Sequence, residues 1–188
     1  MSVSLAGPPP GVVLVDAEPT HLPAITAIYE HHVLHGTATF EITPPSLDEM
    51  TGRWRTVRAD GLPYLVALEG PTVVGYAYGA PYRRRAAYAY TVEDSLYLAP
   101  EATGRGIGRA LLSELIQRCE ALGLRQMVAV IAGADNTASL SVHRACGFHD
   151  AGRFEAAGYK HGQWIDILFM QRALGPGSSE APDTKKGP

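Results

Sequence analysis

The pattern of apolar and polar positions is most regular just after the middle of the chain, where it predicts an amphipathic helix. Its apolar side chains recur at the spacing of one helix face: Ile107, Leu111, Leu115 and Leu122. At 3.6 residues per turn this is a helix of about four turns. The segment 95–99 before it has the composition of a strand, and Pro100 ends that strand. The centre of the chain is therefore predicted to run from a strand through a glycine-rich loop into a helix.

Shorter patterns predict the remaining elements. Strands are predicted over 12–15, 64–68, 73–80, 88–98, 127–131, 148–155 and 164–171, with residues 158–162 joining the last two. Helices are predicted from about 19 to 35, from 46 to 59 and from 136 to 146. The strand over 127–131 is almost wholly apolar, which is typical of a sheet interior covered on both faces. We therefore expect an α/β fold with a mixed, mainly antiparallel, twisted sheet and helices on both faces.

Composition limits the class of protein. The chain has 188 residues, of which 46% are hydrophobic, so it can form one substantial domain. We expect this domain over 12–174, with a flexible tail over 1–11 and a disordered tail over 175–188, where glycine, proline, serine and charge dominate. The net charge of −3 and the lack of a basic run exclude nucleic acid as an expected partner.

We expect no membrane partner, because no apolar stretch approaches a span of about 20 residues. The N-terminal residues also lack the pattern of a signal peptide. Cys119 and Cys146 lie in predicted helices without metal-ligand spacing, which indicates reduced thiols and a cytoplasmic protein. His31, His32 and His35 lie near a predicted helix end, where histidines suit the helix dipole, so no metal is expected.

The glycine-rich loop has the properties of a phosphate-binding site. Gly104, Gly106 and Gly108 alternate just before the central helix, so backbone N–H groups can converge without obstruction by Cβ atoms. The helix N-terminus adds about half a positive charge, and Arg105 and Arg109 can add more. The Walker loop is excluded because no Lys-Ser/Thr pair follows, and the spacing differs from the dinucleotide fingerprint. A glycine-rich turn without a ligand is the alternative.

A second candidate site lies on the strand before this loop. Because side chains alternate along a strand, Glu93, Ser95 and Tyr97 share one face unless a bulge intervenes. A carboxylate in the middle of a strand is unfavourable by propensity. The structural alternative is a solvated strand end, or an ion pair with one of the arginines over 83–85.

Two motifs resemble the GNAT acetyltransferase superfamily. The loop is similar to the Gln/Arg-x-x-Gly-x-Gly/Ala pyrophosphate loop, with Gly106 and Gly108 matching and Thr103 departing from the usual Gln/Arg. The helix that starts at Asn136 is similar to the one that runs beside the pantetheine arm. Three further motifs resemble the phosphinothricin and methionine sulfoximine N-acetyltransferase branch: Tyr-x-x-Thr-x-Glu ending at Glu93, Val-Ala-Val-Ile over 128–131 and Ala-Ala-Gly-Tyr-Lys-His-Gly-Gln-Trp over 156–164. This resemblance covers about residues 12–174.

The resemblance implies a GNAT fold and a site for acetyl-CoA. The diphosphate of acetyl-CoA would bind the backbone of the loop, and its pantetheine and acetyl group would bind the backbone of the strand end. The implied cofactor-binding residues are Leu96, Tyr97, Leu98, Thr103, Gly104, Arg105, Gly106, Ile107, Gly108, Arg109, Asn136, Ser139 and His143. For Asn136 the alternative is a role as helix cap alone, and for His143 a surface position.

The resemblance also implies catalytic and substrate-binding roles. Glu93 corresponds to the proposed general base, and either His143, where relatives commonly have a tyrosine, or Tyr97 would be the general acid. An imidazolium can protonate a thiolate, because its reference pKa of about 6.5 lies below the value of about 8.5 for a thiol. The implied substrate-binding residues are Phe40, Arg83, Arg85, Glu93, Asp94, Ser95 and Lys160. The guanidinium groups suit the carboxylate of an amino acid.

The expected function is transfer of the acetyl group of acetyl-CoA to the α-amino group of a small amino-acid analogue. Phosphinothricin, methionine sulfoximine and methionine sulfone are the implied acceptors, and a homodimer is the implied assembly. Two alternatives are open: acetylation of another amine, such as a polyamine, an aminoglycoside or a protein N-terminus, and a sensor that binds acyl-CoA without turnover. A panel of amines tested for thiol release separates these functions.

Overall fold

A computed structural model describes residues 6–133 and 136–182 of the chain. It contains one seven-stranded sheet in the order β1-β2-β3-β4-β5-β7-β6. The strands are β1 Val12–Asp16, β2 Tyr64–Glu69, β3 Thr72–Pro81, β4 Thr91–Leu98, β5 Gln126–Ala132, β6 His149–Lys160 and β7 Gln163–Ala173. The helices are α1 Leu22–His35, α2 Leu47–Ala59, α3 Ile107–Ala121 and α4 Thr137–Ala145. The predicted α/β fold is therefore confirmed.

The sheet is antiparallel except between β4 and β5. These two strands pair in parallel over only four residues, from Thr91 with Gln126 to Asp94 with Ala129. Beyond that point β4 continues beside β3 as far as the pair of Gly75 and Leu98, while β5 continues beside β7. The two central strands therefore separate and leave a gap between them.

The alternation of side chains along β4 divides its neighbours between the two faces of the sheet. On one face the ring of Tyr97 meets that of Tyr29 of α1 edge to face, with centroids 5.0 Å apart. On the other face Leu96 and Leu98 pack near Gly108 at the start of α3. The described β3–β4 register has no shift that would change this alternation. Glu93 and Ser95 therefore point to the same face as Tyr97, as the sequence predicts, whereas Asp94 points to the face of α3 and α4.

Local sequence signals explain where α2 begins and where α4 ends. The Ser46 hydroxyl accepts a hydrogen bond of 3.2 Å from the Glu49 N–H at the start of α2, which caps that helix. The carboxylate of Glu49 pairs with Arg53 instead of completing a reciprocal capping box. Gly147 has a φ of 85° just after α4, in the left-handed conformation that ends many helices.

Two predicted boundaries near candidate residues are wrong. The strand predicted over 88–98 begins only at Thr91, because residues 86–88 form a turn of 3₁₀ helix. The joining segment predicted over 158–162 is also too long, since β6 continues to Lys160. His161 and Gly162, with φ of 50° and 76°, form the turn to β7. Two consecutive positive φ angles give a turn whose twist matches paired strands.

The two predicted tails lie partly outside the described residues, which omit 1–5 and 183–188. Within the described part, the Ala6 N–H donates to the Ser113 hydroxyl at 3.1 Å, and Arg125 donates to the Ala181 carbonyl at 3.2 Å. Over the described residues, no helix is both long and apolar enough to cross a membrane.

Candidate active site

The gap between β4 and β5 opens into a cavity of about 570 Å³. The exposed edges of both strands, the glycine loop and α4 form its walls. Its lining includes Glu93, Asp94, Ser95, Leu96, Tyr97, Leu98, Thr103, Gly104, Gly106, Gly108, Arg109, Asn136, Ser139 and His143. Most of the residues that were predicted to bind the coenzyme or to act in catalysis therefore line one cavity, which is large enough for a small-molecule ligand.

The glycine loop has a backbone conformation that requires glycine at two positions. Gly104 and Gly106 have φ of 72° and 82°, a region that residues with side chains rarely adopt. Gly106 is the N-cap of α3, and no side chain caps this helix end, so backbone N–H groups of the first turn are available to a ligand. Arg105 lies away from the cavity lining and pairs with Glu69, and Ile107 is fully buried. The side chains of these two residues therefore do not line the cavity.

The backbone of β4 presents hydrogen-bonding groups to the gap. The Ala99 N–H donates to the Val74 carbonyl at 3.0 Å, so the backbone hydrogen-bonding groups of Ala99 point toward β3. Because successive residues of a strand turn their N–H and C=O groups to opposite sides, those of Leu96 and Leu98 point toward the gap. The Leu98 carbonyl accepts a hydrogen bond of 2.8 Å from Nε2 of His32. The sequence did not single out His32 for this cavity, because nothing in a helix pattern relates it to a strand 66 residues away.

Glu93 contributes a half-buried carboxylate to the cavity. Burial raises its pKa, and the neighbouring carboxylate of Asp94 raises it further, while the positive charge of Arg83 opposes the shift. A carboxyl group with a raised pKa is a stronger base when ionised. The side chain can therefore accept a proton from a group bound in the cavity.

His143 lies in the cavity wall and forms a buried pair with Asp94. Its Nε2 is 3.0 Å from Asp94 Oδ2, and the two side chains are 4% and 2% exposed. Its Nδ1 is 2.7 Å from the Ser139 carbonyl, which can only accept, so Nδ1 carries a proton. Burial would lower the pKa of His143, but the charge and hydrogen bond of Asp94 and the Ser139 carbonyl raise it overall. His143 is therefore a buried residue and not a surface one.

Asp94 has a second oxygen, Oδ1, that is buried and has no hydrogen-bond partner among the described protein atoms. A buried acceptor without a partner is costly and uncommon. Because Asp94 lines the cavity, a ligand or a bound water can supply the missing donor. The sequence prediction placed Asp94 beside the acceptor substrate, and the structure adds the contact with His143.

Asn136 caps α4 and also lines the cavity. Its Oδ1 accepts from the Ser139 N–H at 3.2 Å, and its Nδ2 lies 3.5 Å from the Ala132 carbonyl. Asn136 therefore acts as a helix cap and also lies in the wall of the cavity. Ser139 joins the same cluster, because its hydroxyl is 3.3 Å from Nδ1 of His143.

Tyr97 borders the cavity from the face of α1. Burial raises its pKa well above the ordinary value for tyrosine, and the phenols of Tyr78 and Tyr29 add to the shift. The hydroxyl therefore keeps its proton at neutral pH, and its hydrogen bond with Tyr29 also favours the protonated form.

Arg83 and Arg85 do not line this cavity. They border a second cavity of about 220 Å³, together with Arg84 and the neighbouring Tyr88. Arg84 pairs with Asp60 at 2.8 Å. The charge of Arg83 nevertheless acts on Glu93, so the arginine loop lies close enough to influence the carboxylate.

Phe40 lines the large cavity, whereas Lys160 does not. The Lys160 ammonium is buried and donates to the Thr39 carbonyl at 2.9 Å. Within the described part of the chain, no group of three or more histidine, cysteine, aspartate or glutamate side chains could hold a metal ion.

Comparison with known proteins identifies relatives over most of the chain. The model of the Acetyltransferase (GNAT) family matches residues 25–148. A phosphinothricin N-acetyltransferase of Alcaligenes faecalis is 52% identical over 162 residues, which cover 86% of this chain and 82% of that protein. An L-methionine sulfoximine/L-methionine sulfone acetyltransferase of Pseudomonas aeruginosa is 39% identical over 162 residues, covering 86% of this chain and 94% of that protein.

A solved structure agrees with these sequence relatives. The phosphinothricin acetyltransferase of Sinorhizobium meliloti, in complex with AcCoA, superposes with a TM-score of 0.90 at 51% identity, covering 93% of this chain and 94% of that one. The resemblance stated from the sequence is thereby confirmed. The chain belongs to the Acetyltransferase (GNAT) family.

Proposed function

We propose that the protein is an acetyl-CoA-dependent N-acetyltransferase that acts on the α-amino group of a small amino-acid analogue of the phosphinothricin, methionine sulfoximine or methionine sulfone type. The named relatives from Alcaligenes faecalis and Pseudomonas aeruginosa support this substrate class. The observation that carries the proposal is the position of Glu93, a carboxylate with a raised pKa in the wall of the cavity that begins at the glycine loop.

The residues of the cavity fit acetyl-CoA. The backbone N–H groups of 104–109 would hold its diphosphate, because a helix N-terminus with glycines before it favours bound phosphate. The N–H groups of Leu96 and Leu98 would hydrogen-bond the pantetheine and the thioester carbonyl, and Asn136 would contact the pantetheine. Bound coenzyme supplies the acetyl group as an activated thioester. The protein then has to position an amine and move protons.

Glu93 would remove the proton that the α-amino group must lose, directly or through a water molecule. General base catalysis of this kind typically contributes about 10²–10⁴-fold. The Leu98 N–H would stabilise negative charge on the carbonyl oxygen as the tetrahedral centre forms. Arg83 and Arg85 would attract the acceptor's carboxylate from the side of the smaller cavity.

The general acid for the leaving thiolate would be Tyr97 or the Asp94–His143 pair. Tyr97 retains its phenolic proton because its pKa is raised. His143 holds protons on both ring nitrogens when charged, but Ser139 and Asp94 already accept from them. Proton donation by His143 would thus require the Asp94 contact to open, and donation by Tyr97 would require its hydrogen bond with Tyr29 to open.

The exposed aromatic residues of the β6–β7 hairpin favour a homodimer. Phe154, Tyr159 and Trp164 are 60%, 60% and 67% exposed, and large exposed apolar side chains concentrated on one hairpin are typical of association surfaces. We infer a cytoplasmic location from Cys119 and Cys146, which are both free thiols.

The test measures coenzyme binding and turnover separately. Calorimetry with acetyl-CoA reports binding, and release of free thiol is followed over a panel of amino-acid analogues, polyamines, aminoglycosides and peptides. We expect binding together with thiol release for methionine sulfone or phosphinothricin. Binding without release for any amine would indicate a sensor, and release for another class of amine would replace the proposed substrate.

A further inference from the structure

Gly158 of β6 packs against Phe40, a residue that lines the cavity. A Cβ atom on Gly158 would lie 2.0 Å from Cε1 and 2.2 Å from Cδ1 of Phe40, so the aromatic ring lies against the backbone of β6. A register shift between Phe154 and Gly158, where Ala156 has a φ of 48°, bends this strand. Any side chain at position 158 would have to displace the ring.

Thr39, the residue before Phe40, makes hydrogen bonds to two different elements. The Lys160 ammonium, 3% exposed, donates to the Thr39 carbonyl at 2.9 Å. The Thr39 hydroxyl is 2.8 Å from the Tyr29 hydroxyl. Thr39 is itself buried, so these contacts connect the β6–β7 hairpin and α1 through a single residue of the segment 38–41.

The residue after Phe40 is fixed as well. The Glu41 carboxylate accepts from Arg53 at 2.7 and 3.1 Å and from the Tyr29 hydroxyl at 2.8 Å. A bidentate arginine–carboxylate pair constrains orientation as well as distance. Phe40 therefore lies between two anchored neighbours, while Phe40 itself and Ala38 line the cavity.

We propose that Gly158 and Lys160 are positioning residues for the acceptor amino acid: they hold the segment 38–41 so that Phe40 forms a wall of the cavity that Glu93 lines. This inference rests on the proposed function, and it identifies Phe40 as a wall of the pocket for the acceptor amino acid. It also reassigns Lys160, which the sequence placed in direct contact with substrate, to a role through Thr39. Neither Gly158 nor Lys160 lines the cavity, so both act through Phe40.

A double-mutant cycle between Gly158 and Phe40 tests this coupling. We expect Gly158→Ala to lower kcat/KM for the acceptor by about ten-fold or more, mainly through a higher acceptor KM, because a misplacement of about 1 Å can reduce the rate about 10²-fold. The KM for acetyl-CoA should stay unchanged, whereas a general loss of folded protein would lower the apparent kcat and would not raise the acceptor KM. In the Phe40→Ala background the Gly158→Ala change should have no further effect. Additive effects of the two substitutions would overturn the proposal.

A second pair of variants tests Lys160. Lys160→Met removes the donor to Thr39 and should raise the acceptor KM, whereas Lys160→Arg keeps a donor and should restore part of the loss. Nuclear Overhauser contacts between the Phe40 ring and the Gly158 Hα show directly whether the ring lies against β6. We expect these contacts in the wild-type protein and their loss in Lys160→Met.

The matched control is Gly52→Ala, since a Cβ there meets nothing within 4 Å. It should leave both KM values unchanged. The ring contact is measured without turnover, so it tests the positioning role even if the wild-type protein transfers no acetyl group. A wild-type protein without transfer would refute the proposed function alone. Unchanged ring contacts in Lys160→Met would refute the positioning role alone.

Discussion

Nε2 of His143 and Oδ2 of Asp94 are 3.0 Å apart, and both side chains are almost completely buried in the wall of the cavity. Because the Ser139 carbonyl accepts from Nδ1, the second proton of the imidazole is shared with the carboxylate. The pair joins α4 to β4 close to the point where β4 and β5 separate. It connects the helix expected beside the pantetheine to the strand that carries Glu93.

Asp94→Asn should move the pKa of His143 from above its ordinary value to below it. Burial lowers the imidazole pKa, and the Asp94 carboxylate is the main group that reverses this shift. An NMR titration of the imidazole protons measures the change. A titration unaltered by the substitution would show that Asp94 does not control the protonation of His143.

The Asp94–His143 pair predicts that the stability of the folded protein depends on pH. Because the folded-state pKa of His143 is raised, the stabilisation is fully present below the unfolded-state pKa of about 6.5 and is lost as pH rises through the folded-state pKa. The gap in Tm between the wild-type protein and Asp94→Asn should therefore be larger at about pH 6 than at about pH 9. A difference in Tm that increases with pH would contradict this prediction.

Glu93→Gln should lower kcat by about 10²–10⁴-fold, because the amide cannot accept the proton of the attacking amine. In the wild-type protein the rate should fall as pH decreases through the raised pKa of Glu93, since only the carboxylate acts as a base. This acidic limb should disappear from the residual activity of the variant, while calorimetric binding of acetyl-CoA stays intact. Full activity with an unchanged pH–rate profile would remove Glu93 from the mechanism.

Arg83→Ala and Arg85→Ala should raise the KM for amino-acid acceptors but not for simple amines without a carboxylate. Arg83→Ala should also shift the acidic limb to higher pH, because the positive charge of Arg83 lowers the pKa of Glu93. Arg84→Ala is the control, since Arg84 is 66% exposed and paired with Asp60. An equal loss for both classes of acceptor would refute the recognition of the carboxylate.

Gly106→Ala should weaken acetyl-CoA binding and destabilise the fold by about 1–2 kcal/mol, the usual cost of the left-handed conformation for a residue with a Cβ. Gly61→Ala is the matched control, because Gly61 has a similar φ of 71° and its Cβ would meet nothing within 4 Å, but it lies outside the cavity lining. Calorimetry and thermal unfolding of both variants measure the contrast. Equal effects of the two substitutions on acetyl-CoA binding would show that coenzyme binding does not depend on the conformation of Gly106.

The parts of the site that follow from local sequence could be predicted. The glycine loop precedes a helix whose apolar period is regular, so Gly104 and Gly106 could be placed at a helix N-terminus from the sequence. The alternation of β4 likewise put Glu93 on the same face as Tyr97. Both predictions depend on neighbours within a few residues, where backbone geometry is fixed by the chain itself.

The contacts between distant segments could not be predicted in this way. Asp94 and His143 are 49 residues apart, and Lys160 reaches Thr39 across 121 residues. A periodic pattern shows which face a side chain occupies but not which residue it meets there. The resemblance implied contact between Lys160 and the substrate, and no local pattern could show that its ammonium donates to Thr39.

The most direct measurement follows an isotopically labelled acetyl group from acetyl-CoA to product. The purified protein is incubated with labelled acetyl-CoA and methionine sulfone or phosphinothricin, and the products are identified by mass spectrometry alongside the release of free thiol. We predict label on the α-amino nitrogen of the amino acid, in an amount equal to the thiol released. Binding of the coenzyme without any labelled amino acid would contradict the account.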